Sequence, residues 1–143
     1  MKSKILSTGE TKQHVLVLET GDEVMSVLQD YARRERIRAA RFTAIGAFQS
    51  ATLAYFDWEA KAYEKIPVHD QVEVLVLAGD IAWKGDEPVA HVHVVLGRRG
   101  GQTLGGHLIE ARVRPTLEVM LSQAGALERT PDPESGLALL SVR

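Results

Sequence analysis

Apolar and polar residues alternate along most of this chain, and one stretch near the N-terminus replaces that alternation with a longer period. Val24, Val27, Leu28, Tyr31 and Ala32 fall at i, i+3, i+4, i+7 and i+8, a single apolar stripe, while Glu23, Asp30, Arg33 and Arg34 occupy other faces. The spacing predicts an amphipathic helix lying on a sheet. Thr20 and Glu23 are placed for a capping box, with Asp22 as the alternative cap. Ahead of the helix, the apolar run at 14–19, closed by Thr20, Gly21 and Asp22, predicts a first strand.

Beyond the helix the pattern is β-type. Residues 39–48 and 51–57 read as two strands parted at Gly46 and the polar pair Gln49-Ser50, and 62–66 as a short edge strand. Residues 71–83 form a long β-branched run in which Gly79 marks a bulge or a close backbone approach. Residues 89–96 and 102–113 predict a hairpin turning through Arg98, Arg99, Gly100 and Gly101, while 116–121 fits either a strand or a short helical turn. The turn-rich loop 131–136 precedes an apolar run at 137–142 that is expected to pair into the sheet and, with both faces suited to burial, to meet another subunit. One main helix and seven or more strands predict an α+β domain on a bent, largely antiparallel sheet. A chain of 143 residues, 45% of them apolar, is read as one domain over 1–143.

Composition narrows the chemistry. The chain has no cysteine, so any transition metal must be held by imidazole, carboxylate or water. No apolar stretch approaches the roughly 18 residues of a membrane span, and no signal peptide is visible, so a cytoplasmic protein without membrane contact is expected. A net charge of −2 argues against a surface that coats nucleic acid. The densest basic patch is Arg33, Arg34, Arg36, Arg38 and Arg41, a candidate nucleic-acid contact that also reads as a solvated helix end.

Three of the five histidines carry the strongest chemical signal. His91 and His93 share one face of the predicted strand, and His107, behind Gly105 and Gly106, lies where the returning strand brings it alongside. Three imidazoles without a thiolate suit Zn²⁺, or another divalent first-row metal, with a fourth position open. The competing reading is half-buried strand histidines satisfied by hydrogen bonds. His14 and His69 fall outside the cluster, Trp58 and Trp83 read as core or interface residues, and the glycine-rich run 97–101 reads as a hairpin turn rather than a phosphate loop.

The ordered set Gly21-Asp22-Glu23, Ala44-Ile45-Gly46-Ala47, Val72-Glu73-Val74-Leu75, Ala78-Gly79-Asp80-Ile81, Pro88-x-x-His91-Val92-His93, Gly105-Gly106-His107-Leu108 and Glu118 resembles the PPC domain, named for its presence in plants and prokaryotes. The resemblance runs from about His14 to Ser141. It implies an α/β fold that assembles as a homotrimer, and a metal site at the positions of His91, His93 and His107 as in some prokaryotic members, which are usually stand-alone domains. In plant relatives the domain follows an AT-hook and carries trimerisation and transcription-factor contacts. This chain has no such hook, since Arg112-Val113-Arg114-Pro115 lacks its glycine, and His14 stands where the family often has arginine.

Two functions follow as expectations. The first is a homotrimeric, DNA-associated or regulatory binding module with a three-histidine zinc site and weak DNA or transcription-factor contact. The alternative is a metal-dependent enzyme acting on a small molecule through a water on the three histidines. Binding is expected ahead of catalysis, because an acid or base is offered only loosely by Glu73, Glu110, Glu118 and Arg112. Glu118 and Arg112 are the candidates for contact with the metal-binding histidines.

Overall fold

The computed structural model describes residues 1–7 and 11–141. In chain order the elements are β1 (Lys2–Ser7), β2 (Gln13–Glu19), α1 (Val24–Arg34), β3 (Ala39–Asp57), β4 (Ala62–Val68), β5 (Val72–Lys84), β6 (Glu87–Gly97), β7 (Thr103–Gln123), β8 (Glu128–Pro131) and β9 (Ala138–Ser141). With 66% strand against 8% helix the molecule is mainly β, so the α+β expectation holds only in part. The one helix and the largely antiparallel pairing are as expected, β5 and β8 being the parallel pair; the helix simply serves a much larger sheet.

The strands form a single sheet in the order β1-β2-β7-β3-β5-β8-β9, with β4 on β3 and β6 bridging β5 and β7. Because β3 pairs with both β5 and β7, and β6 pairs with the same two, these four strands close into a circuit. The long strands make this closure possible. β3 runs through residues 49 and 50, so the two expected strands are one, with register shifts on β7 absorbing the irregularity around Gly46 and Ser50. β7 likewise continues through Pro115, which resolves 116–121 as strand. β8 had no expectation in the sequence, and neither had β1, so the strand expected to be first over 14–19 is the second.

Val24, Leu28, Tyr31 and Ala32, all on the predicted stripe, are the buried residues of α1. They join one core cluster with Leu16, Leu18, Phe42, Phe48, Val92, Val94, Val119 and Leu121. His14 is buried there, its Nδ1 2.8 Å from the Tyr31 hydroxyl. The helix cap differs from both expected forms. Glu23 itself is the N-cap, accepting from the amides of Met25 at 3.2 Å and Ser26 at 2.8 Å. Thr20 instead donates its hydroxyl to the carbonyl of Pro115, and Asp22 accepts from the Glu19 amide. Gly79 marks a close approach and not a bulge: a Cβ there would lie 2.5 Å from the His91 carbonyl oxygen and 2.6 Å from Phe42 Cζ. The shift in β5 falls instead between Val74 and Val76.

At the C-terminus the expected strand forms as β9, pairing with β8, while Val142 lies outside the described residues. Leu139 and Leu140 are left exposed. Among the described residues no helix is long and apolar enough to cross a membrane.

Candidate metal centre

The three histidines meet where the strand circuit closes. On β6, His91 and His93 alternate with the buried Val92 and Val94, so both imidazoles point away from the core. His107 on β7 pairs with His93 on one side and with Ala54 of β3 on the other. Its placement depends on the glycines before it: a Cβ on Gly106 would lie 2.8 Å from the Ala54 carbonyl oxygen, and one on Gly105 2.8 Å from that of Val94. Only a residue without a side chain lets β7 approach both neighbours so closely.

One nitrogen from each of His91, His93 and His107 lies within 4.8 Å of the others. Ring centroids are separated by 4.9 Å for His91 and His93, 5.3 Å for His91 and His107, and 5.6 Å for His93 and His107. Tetrahedral Zn–N bonds of about 2.0–2.1 Å bring such atoms to roughly 3.3 Å apart, a small rotamer adjustment away. Nδ1 of His107 is buried without a hydrogen-bond partner. An orphaned nitrogen among three imidazoles fits a donor set whose acceptor is a cation.

The electrostatics keep the rings of His91 and His107 neutral, with lone pairs available. Burial pushes the His107 imidazole down to about 4, with the charges of His91 and His93 acting in the same direction. His91 is also held below the ordinary imidazole value, first by burial and then by His93 and Arg129, with Asp80 opposing. Tyr63 of β4 stacks on His107 with centroids 4.6 Å apart and planes at 19°, and Phe56 and Trp58 continue the aromatic cluster. A groove of about 330 Å³, lined in part by Val76, Ala78, Val95 and Gly105, opens beside His93.

The remaining predicted residues lie elsewhere. Glu118 pairs with Val17 and Ile45 and lines an outer-face groove with Val15, Thr43 and Met120; Glu73 shares the adjoining groove with it. Arg112 donates to the carbonyl of Gly21 at 3.0 Å, and Glu110 accepts from the Thr52 hydroxyl at 3.0 Å. Both line a separate groove with Glu23 and His69. Trp83 is half-buried, its indole donating to the Ile37 carbonyl, whereas Trp58 is exposed.

The arginine patch is largely neutralised from within. Arg33 pairs with Asp30 and Glu87, and Arg34 with Glu35 while lying over Tyr31. Arg38 pairs with Glu128 and stacks over Trp83. Among the described residues, Arg36 and Arg41 remain exposed without an acidic partner.

Sequence reasoning assigned no role to Asp80, Arg129 or Tyr63, which surround the triad. Asp80 had a readable signal, because a tight turn pairing Lys84 with Glu87 carries back to Asp80 opposite His91. Arg129 had none, since it sits on the unexpected β8.

Comparison with known proteins bears on this arrangement. The Plants and Prokaryotes Conserved (PCC) domain, the same family as the PPC domain, matches residues 6–125. A plant- and prokaryote-conserved protein of Pyrococcus horikoshii is 30% identical and superposes at a TM-score of 0.86, covering 96% of this chain and 99% of its own. A metal-containing protein of Archaeoglobus fulgidus is 32% identical at a TM-score of 0.85, covering 99% of this chain and 97% of its own. A candidate DNA-binding protein of Ralstonia eutropha is 31% identical at 0.86, with 91% of each chain covered. The bifunctional protein GlmU of Synechococcus sp. (strain JA-3-3Ab) is 29% identical over 96% of this chain, which spans 21% of that curated relative's length.

Proposed function

This chain belongs to the Plants and Prokaryotes Conserved domain family, and on that premise we propose that it is a homotrimeric binding module, regulatory or DNA-associated, built around a zinc site of His91, His93 and His107. The observation that carries this reading is the convergence of three imidazoles with one nitrogen of each within 4.8 Å of the others, one ring having an orphaned buried nitrogen. The relative described as metal-containing and the one described as a candidate DNA-binding protein support the two halves of the reading. Bound zinc would supply Lewis acidity at an open position. The chain's own contribution is to fix three donors on neighbouring strands, stack Tyr63 on His107 and keep His91 and His107 deprotonated.

Self-association is supported by the outer sheet face, where Ile45, Leu75, Val76, Val95 and Met120 are exposed together. A metal-dependent enzyme acting on a small molecule is the second reading, favoured by the groove that opens beside His93. Binding ranks above it because Glu73, Glu110, Glu118 and Arg112 lie in other grooves and Asp80, the carboxylate beside the triad, is engaged by Arg129.

Elemental analysis and zinc titration of the purified protein test the site. Wild type is expected to bind one zinc per chain, and His107→Ala to lose it with the fold intact by circular dichroism. Unchanged stoichiometry in that variant would overturn the three-histidine assignment. Activity lost on chelation and restored by zinc would move the second reading ahead of the first.

A further inference from the structure

Asp80 stands between two groups that the metal reading alone does not connect. Paired across the β5–β6 hairpin from His91, it places Oδ2 4.0 Å from His91 Nδ1. Its other oxygen, Oδ1, takes an ion pair from Arg129 Nη2. Arg129 comes from β8, beyond the last residue matched by the family, and its side chain is 6% exposed. Of the rest of its guanidinium, Nη1 donates to the carbonyl of Ala138 on β9 at 3.3 Å, and Nε is buried without a partner.

A buried guanidinium left partly unsatisfied is costly, so its place beside Asp80 asks for a reason beyond stability. A carboxylate facing Nδ1 supplies one. It attracts the imidazole tautomer that carries its proton on Nδ1 and repels the one that turns a lone pair toward it, which leaves Nε2 as the free donor. The carboxylate can impose that choice only if its own orientation is fixed, and Arg129 holds its opposite oxygen.

We propose that Asp80 is the positioning residue for His91, and that Arg129 locks it, making the β8–β9 hairpin a working part of the metal site. The inference rests on the zinc reading above. Carboxylate partners of metal-bound histidines are worth about 10–100-fold in affinity. Asp80→Asn and Arg129→Met are each expected to weaken zinc binding by about that factor in competition with a chromophoric chelator, while Arg129→Lys retains most of the affinity. The double variant should bind no more weakly than Asp80→Asn alone, since both act through one path.

The reading specific to positioning is the ¹⁵N spectrum of the His91 ring. Wild type should show a protonated Nδ1 in the zinc form, and Asp80→Asn a mixture of tautomers. If Asp80→Asn does not fold, Asp80→Glu, which keeps the charge and displaces it by one methylene, carries the same test. Folded variants with wild-type affinity and an unchanged His91 tautomer would overturn the proposal and leave the zinc site standing. Wild-type protein that binds no zinc, or binds it equally after His107→Ala, would instead overturn the reading beneath it.

Discussion

At the scale of single residues, Glu23 joins helix, sheet and charge in one carboxylate. Its Oε1 accepts from the amides of Met25 and Ala111, and its Oε2 from the amide and hydroxyl of Ser26. Burial alone would raise its pKa, yet the bonds from Ser26, Met25 and Ala111 hold it below the ordinary carboxyl value of 4.5. Glu23→Ala removes the cap and orphans a strand amide, so a loss of about 1–2 kcal/mol is expected in urea unfolding at neutral pH. A folded-state pKa below the unfolded one means the unfolded chain binds more protons. The contribution is therefore complete above about 4.5 and fades as pH falls through the lower folded value, so variant and wild type should converge in acid. A gap that stayed constant with pH would assign the loss to packing instead. The sequence showed Glu23 as half of a capping box; that the same carboxylate also takes the amide of Ala111 depends on β7 delivering it, a long-range fact. The histidines were legible for the opposite reason. Strand alternation and one turn place His91, His93 and His107 together, whereas Arg129 reaches the same site from β8, the strand of the terminal hairpin that no local pattern announced.

Among the elements, continuity was what the sequence concealed. Gln49 and Ser50 have the composition of a turn, and Pro115 the look of a strand end, yet β3 and β7 run through them because bulged pairing on both strands tolerates local irregularity. The helix, with its 3.6-residue period and a face wholly committed to the core, was readable because its signal is local. The closing of the circuit at His107 rests on β7 touching β3 and β6 at once, and Gly106 is the point of contact. Gly106→Ala would set a methyl 2.8 Å from the Ala54 carbonyl oxygen, a backbone atom that cannot swing aside. Strain of this kind typically costs about 1–3 kcal/mol. The strand is expected to shift and carry His107 out of line, so zinc affinity should fall together with stability. A variant that loses stability and keeps its affinity would show that the triad tolerates movement of β7.

For the whole molecule, the decisive question is what the outer sheet face meets. Ile45, Leu75, Val76, Val95 and Met120 lie exposed there, and among the described residues the carboxylates lining the grooves between them are those of Glu118 and Glu73. Such a face is better suited to another subunit than to water. Light scattering is expected to give three chain masses for wild type and a smaller species for Met120→Glu, and a wild-type monomer at micromolar concentration would remove the trimer. Nucleic-acid binding depends on a different balance. With a net charge of −2 and Arg33, Arg34 and Arg38 already paired with acids, few cations of the densest basic patch remain to displace counterions from phosphate. Arg36 and Arg41 remain, joined by Arg99 at the exposed tip of the β6–β7 turn, and assembly would multiply them. DNA binding is therefore expected to be weak, indifferent to sequence and steeply lost between about 50 and 200 mM salt. Reversing Arg36 and Arg41 to glutamate should abolish it, while reversing Arg34, whose charge Glu35 already answers, should matter less. Tight binding that survived high salt would demand contacts to base edges, and would place the DNA surface somewhere other than these arginines.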